Sequence, residues 1–97
     1  MKREEIYKII DGEREYQEIR WVNEPIHSPT EYLVFIEEYI KIGKTLATFE
    51  DDAVMKPKIM DVMRKIISLG VACAESHGLP ERSPKNDTFT TGQPGGE

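Results

Sequence analysis

The chain has 97 residues, a formal net charge of −5, 38% hydrophobic and 32% charged residues. A chain this short forms one domain with a limited core. Its acidity, without a cluster of Lys and Arg, excludes a bulk-field attraction to nucleic acid. In chain order, the first predicted helix covers residues 2–20. Ile6, Ile9 and Ile10 share one face, and Glu13, Tyr16, Gln17 and Arg20 continue the stripe, which turns from apolar to polar halfway along. Gly12 weakens this helix by about 1 kcal/mol relative to Ala and allows a bend. Trp21 falls at or just past its end, and residues 22–27, with Pro25, form an irregular connection.

The second helix has a local start signal. Ser28-Pro29-Thr30-Glu31 is a capping box with proline at the first helical position. The helix is expected to run to about Ala47. Leu33, Ile36, Ile40, Gly43 and Ala47 form one apolar row, and Tyr32, Phe35, Tyr39, Ile42 and Leu46 form a second beside it, together covering about half the circumference. Glu37, Lys41 and Lys44 lie opposite.

A loop from Thr48 to about Met55, carrying Glu50-Asp51-Asp52, precedes a third helix with Pro57 in its first turn. That helix is expected to end at Ser76 or His77, before Gly78 and Pro80. Its apolar arc is also wide: Ile59, Met60, Val62, Met63, Ile66, Ile67, Leu69, Gly70, Val71, Cys73 and Ala74. Gly70 and Ala72 to Ala74 permit close helix approach. Residues 81–97, rich in Pro, Gly, Thr and charge, read as a flexible tail.

The expected fold is therefore all-α: an antiparallel helical hairpin with an N-terminal helix over residues 1–80. Its apolar arcs exceed what one hairpin covers, which implies a helical-bundle homo-oligomer, most simply a twofold dimer. The single cysteine, Cys73, sits in an apolar run and reads as a small buried hydrophobe. Nothing resembles a signal peptide, and no apolar run reaches the ~18–20 residues that span a bilayer. A protein of a reducing cytoplasm, with no membrane partner, is expected.

The chemically suggestive feature is Glu37-Glu38 followed by Lys41. Carboxylates at i and i+3 or i+4 on a helix can share Mg²⁺. A lysine at that spacing instead predicts an ion pair, Glu37–Lys41, of about 0.3–0.5 kcal/mol. Asp61 projects onto the polar arc, between Lys58 and Lys65, as a solvated ion pair. The loop acids Glu50, Asp51 and Asp52 lack the glycine-bearing loop of an EF-hand. His27, just before a helix start, is either structural or a phosphate contact, and His77 meets a helix C-terminus favourably. There is no Gly-rich phosphate loop, triad motif or zinc spacing.

Glu13-Arg14-x-x-Gln17-x-x-x-Trp21, then His27, then Ile36-Glu37-Glu38-Tyr39, then Val71-Ala72-Cys73-Ala74-Glu75 is similar in order and spacing to short phage-encoded relatives of the MazG-like nucleotide pyrophosphohydrolases. The likeness covers about Glu4 to Pro80. It implies an all-α fold in which dimers or tetramers pack helical hairpins. Active members of that family cleave nucleoside triphosphates to the monophosphate and pyrophosphate, using Mg²⁺ held by E-x-x-E on one helix and E-x-x-D on a later one. Glu38 matches the first acid, and Lys41 stands in place of the second. The later pair falls on Lys58 and Asp61 in one register, or on Val62 and Lys65 in the other.

A cation in place of a metal-binding carboxylate removes a ligand and adds repulsion, but a lysine can contact phosphate directly. The resemblance therefore implies a nucleotide pocket that binds without hydrolysis, with Arg14, Gln17, Arg20, Trp21, His27, Glu38 and Lys41 as ligand contacts and no metal or cofactor. Trp21 reads equally as a core anchor against the second helix. For a phage-type protein in a host cytoplasm, such a pocket would sequester a nucleotide-derived signal. The alternative is a divergent pyrophosphohydrolase with Mg²⁺ on Glu38 and Asp61, its missing acids supplied by Glu50, Asp51, Asp52 or a neighbouring subunit. A third reading is a structural or protein-binding helical oligomer.

Overall fold

The computed structural model describes residues 1–49 and 51–83. Glu50 and the tail from residue 84 onward lie outside the described residues. The described chain is all-helical, in the order α1 (Arg3–Arg20), α2 (Pro29–Leu46) and α3 (Asp52–His77).

Local signals account for most helix ends. At α2 the Ser28 hydroxyl accepts from the Glu31 N–H at 3.1 Å, and the Glu31 carboxylate accepts from the Ser28 N–H at 2.9 Å. This is the reciprocal capping box that the sequence spells out. At the end of α3, Gly78 has φ +84° and donates its N–H to the Ala74 carbonyl at 2.7 Å. Only glycine takes that backbone conformation without strain. Trp21 caps α1, donating its N–H to the Gln17 carbonyl at 2.9 Å.

The start of α3 differs from the expectation. The helix begins at Asp52 rather than after Met55, and Pro57 lies in its second turn. The Asp51 side chain accepts from the Val54 N–H at 3.4 Å and fixes the earlier start. Proline is better tolerated in an opening turn, but an aspartate N-cap stabilises a start by about 0.5–2 kcal/mol and shifts the boundary upstream.

α2 and α3 form an antiparallel hairpin. Going back along α2, Gly43 faces Val62, Tyr39 faces Lys65, and Tyr32 packs with Leu69 and Ala72. α1 packs on α3 rather than on α2, so α3 is the element both others share. The core is small and lies toward the C-terminal half of α3. Tyr32, Leu69 and Ala72 form its centre, with Trp21, Phe35, Ile36, Tyr39 and Cys73 packed around them. Cys73 is partly buried, as a small hydrophobe in this setting.

Close approach occurs at Ala72, as expected, and at Gly43, but not at Gly70. A Cβ on Gly43 would stand 3.6 Å from the Val62 side chain, whereas one on Gly70 would meet open space. Gly70 lies on the outer face of α3, and the buried small residues of that helix are Ala72 and Ser68. Ser68 is fully buried because its hydroxyl donates to the Arg64 carbonyl one turn back, at 2.8 Å, and needs no other partner.

The wide apolar arcs are only half used. Leu33, Val34, Ile40 and Ile42 of α2 remain exposed, as do Met60, Met63, Ile67 and Val71 of α3 and Ile6 and Ile9 of α1. Among the described residues no helix is long and apolar enough to cross a membrane.

Candidate functional site

A cleft of about 640 Å³ opens where α1, the 21–28 connection, α2 and α3 meet. That volume is within the range of small-molecule pockets. α1 contributes Glu13, Tyr16, Gln17 and Arg20, which lie on successive turns of one face. The connection adds Trp21, Glu24 and His27. α2 adds Phe35, Glu38 and Tyr39, and α3 adds Lys65 and Leu69. The capping box at Ser28 fixes where α2 begins, and so sets His27 at the edge of the cleft.

The walls are aromatic. His27 meets Phe35 edge-on with centroids 5.0 Å apart and Tyr32 at 5.8 Å. The Lys65 ammonium lies 5.8 Å from the Tyr39 ring centroid. Arg20 stands 5.6 Å from the Tyr16 centroid and donates to its hydroxyl at 2.9 Å. Such contacts hold cations over ring faces while leaving their outer N–H groups available.

The lining carboxylates are each engaged with a basic side chain. Glu13 accepts from Arg64 at 2.9 Å, Glu24 is 3.4 Å from the His27 ring, and Glu38 is 3.3 Å from Lys41. Lys65 is 3.4 Å from Asp61. Arg20, by contrast, has no carboxylate partner among the described residues. His27 also approaches Glu31 at 3.4 Å. The Ser28 backbone N–H and the His27 ring hold the Glu31 carboxyl below its ordinary value of 4.5. Partial desolvation pushes the Asp61 carboxyl up, but the hydrogen bond and charge of Arg64, with Lys65, outweigh it and hold Asp61 below 3.8.

Of the residues the sequence nominates, Gln17, Arg20, Trp21, His27 and Glu38 share this cleft. Arg14 does not line it. Its guanidinium sits behind the wall, paired with Glu75 and Glu18 and donating to Gln17 Oε1 at 2.9 Å. It borders a second hollow of about 300 Å³ instead. Lys41 is also outside, with a side chain 63% exposed. It lies two residues past Tyr39, about 200° around the helix from the face turned to α3. Its partner is Glu38 at i+3, not Glu37 at i+4. The lysine that lines the cleft is Lys65, beside Arg20. Asp61 is turned out of the cleft and pairs with Arg64 at 2.6 Å and Lys65, not with Lys58.

Trp21 combines its two readings: it lines the cleft and packs on the Tyr32, Leu69 and Ala72 core. His77 does more than meet a helix end, because its Nε2 lies 2.7 Å from the His27 carbonyl oxygen. This ties the end of α3 to the connection that forms one cleft wall.

Among the described residues no three His, Cys, Asp or Glu side chains converge. Glu38 and Asp61 each face a cation. Asp51 is occupied as the α3 cap, and neither it nor Asp52 lines the cleft. Tyr16, Phe35, Tyr39 and Lys65 were not nominated from sequence. Tyr16 lies four residues before Arg20 on the nominated stripe, so its signal was present; Lys65 needed the α2–α3 register.

No family model, curated protein or solved structure matches the chain.

Proposed function

We propose that the chain is a MazG-like helical protein that binds a nucleotide in this cleft and holds it without hydrolysis. The observation that carries the reading is the meeting of Arg20 and Lys65 with Trp21, Phe35 and Tyr39 in one open volume. Arg20, free of a carboxylate partner among the described residues, suits a phosphate group. The aromatic rings suit the face of a base. With Lys65 where a metal-binding acid would be needed, the cleft favours capture over turnover. Sequestering a nucleotide-derived signal is a use that requires no more than this.

The same reading includes a homo-oligomer, simplest as a twofold dimer. Leu33, Val34, Ile40 and Ile42 on α2, with Met60, Met63, Ile67 and Val71 on α3, present more apolar surface than a stable soluble monomer ordinarily leaves in water. Sedimentation equilibrium is expected to give a multiple of the chain mass of 11.2 kDa.

Thermal melting against nucleotides, with and without Mg²⁺, tests the binding reading. Stabilisation in EDTA supports capture. Stabilisation confined to Mg²⁺ and accompanied by pyrophosphate release supports the pyrophosphohydrolase instead, and no shift with any nucleotide leaves the scaffold reading.

A further inference from the structure

Gln17 is one of two buried polar residues among those described, with 6% of its surface exposed, and it lines the cleft. Its amide is oriented from behind. Arg14 donates to Oε1 at 2.9 Å. A guanidinium offers donors only, so the amide oxygen must face it and the NH₂ must turn the other way. Arg14 is itself held by Glu75 from α3 and by Glu18, so the orientation is set by a chain of charged contacts. Among the described residues nothing accepts from Gln17 Nε2, yet no side-chain nitrogen or oxygen is sealed from solvent without a partner. The amide nitrogen is therefore not sealed from solvent, on a residue that lines the cleft.

We infer that Gln17, locked by Arg14, presents its NH₂ as a fixed donor to an acceptor oxygen of the bound molecule. Arg14 is a positioning residue, which accounts for its place behind the wall. The inference rests on the nucleotide reading and adds to it the polarity of the group that is read. Three parts of a nucleotide carry such an oxygen: the keto groups of a base, the ribose hydroxyls and the phosphate chain. Trp21 follows Gln17 by one helical turn, so a base stacked on the indole would bring its edge to the amide.

Calorimetric titration of UTP, CTP and inorganic pyrophosphate, in EDTA, tests this on the wild type, Gln17→Glu, Gln17→Met and Arg14→Met. The Glu variant keeps a partner for Arg14 and so keeps the fold, while turning a donor into an acceptor; the Met variant preserves length without either. Melting curves check that each variant is folded. If the donor meets the O4 keto group, which uracil has and cytosine replaces with an amine, UTP binds about tenfold more tightly than CTP. That ratio reverses in Gln17→Glu and levels in Gln17→Met and Arg14→Met. If it meets phosphate, UTP and CTP bind alike, and both weaken together with pyrophosphate by about tenfold or more in Gln17→Glu. If it meets the ribose or the O2 keto group that both bases carry, UTP and CTP weaken together in Gln17→Glu and pyrophosphate does not. Each of these patterns supports an oriented donor and narrows the oxygen it meets. Nucleotide binding that is unchanged in both folded Gln17 variants overturns the inference and leaves the nucleotide reading standing. No binding to the wild type overturns the nucleotide reading, and the donor's assignment falls with it.

Discussion

The two ends of the α2–α3 hairpin are built from similar material and end up in different states. At one end α1 and the 21–28 connection close over Tyr32, Leu69 and Ala72, and the packing leaves a cleft with buried Gln17 in its wall. At the other end only α2 and α3 meet, around Gly43 and Val62, while Ile40, Met60 and Met63 stay in water. Both ends carry apolar arcs about half a helix wide. What differs is the number of elements: three helices enclose a core and a site, two make a seam. In the proposed dimer a second copy would supply at the far end the third element that the chain lacks there.

This contrast can be broken by mutation. The largest effect is expected from Leu69→Ala at the three-helix end. Leu69 is 3% exposed, and truncation should cost about 2–5 kcal/mol, seen as a large fall in urea midpoint. The matching far-end change, Met63→Lys, should cost the single chain far less. It should instead shift sedimentation toward the monomer, because Met63 is already exposed. Equal destabilisation by both would erase the distinction between the ends.

Next in size is Gly78→Ala, which forces a side chain onto φ +84° and should cost about 1–3 kcal/mol. Ser28→Ala removes the α2 cap and should cost about 0.5–2 kcal/mol. It should also loosen the cleft, because the cap sets the position of His27, and a loss of ligand affinity beyond the loss in stability would show that link. Lys41→Ala is expected to be smallest, within about 0.5 kcal/mol, since its pair with Glu38 is exposed on both sides.

Acid titration sharpens the comparison. Glu31 and Asp61 both have carboxyls held below their ordinary values of 4.5 and 3.8. Protons therefore bind the unfolded chain more readily, and stability present above about pH 4.5 is lost as pH falls through the depressed values. Glu31→Gln and Asp61→Asn should each flatten part of that fall, in melting temperatures recorded from pH 6 downward.

Local signals made the fold readable in advance. Ser28 with Glu31, and Gly78 with Pro80, mark boundaries through bonds only a few residues long, so they survive without tertiary information. At the α3 start two local rules compete, and the Asp51 cap prevails over the Pro57 preference. The site was half legible. Gln17, Arg20 and Trp21 lie on one helical face with its capping residue, so spacing alone groups them. Lys65 joins them only through the pairing of α2 with α3, a relation no single-helix pattern contains. Arg14 donates to Gln17 and does not line this cleft, a difference in depth that a sequence stripe does not distinguish. The sequence arcs omit Ser68 for a related reason: its burial depends on a partner that satisfies its hydroxyl.

Trp21 is the chain's one tryptophan and lines the cleft, so its fluorescence reports on this site directly. The most direct test is a titration of nucleoside triphosphate followed by that signal in EDTA, on the wild type and on Arg20→Ala. Capture without a metal is expected to give a saturable change in the wild type and a binding curve at least tenfold weaker in the variant. A change that appears only after Mg²⁺ is added, or one identical in the two proteins, would contradict it.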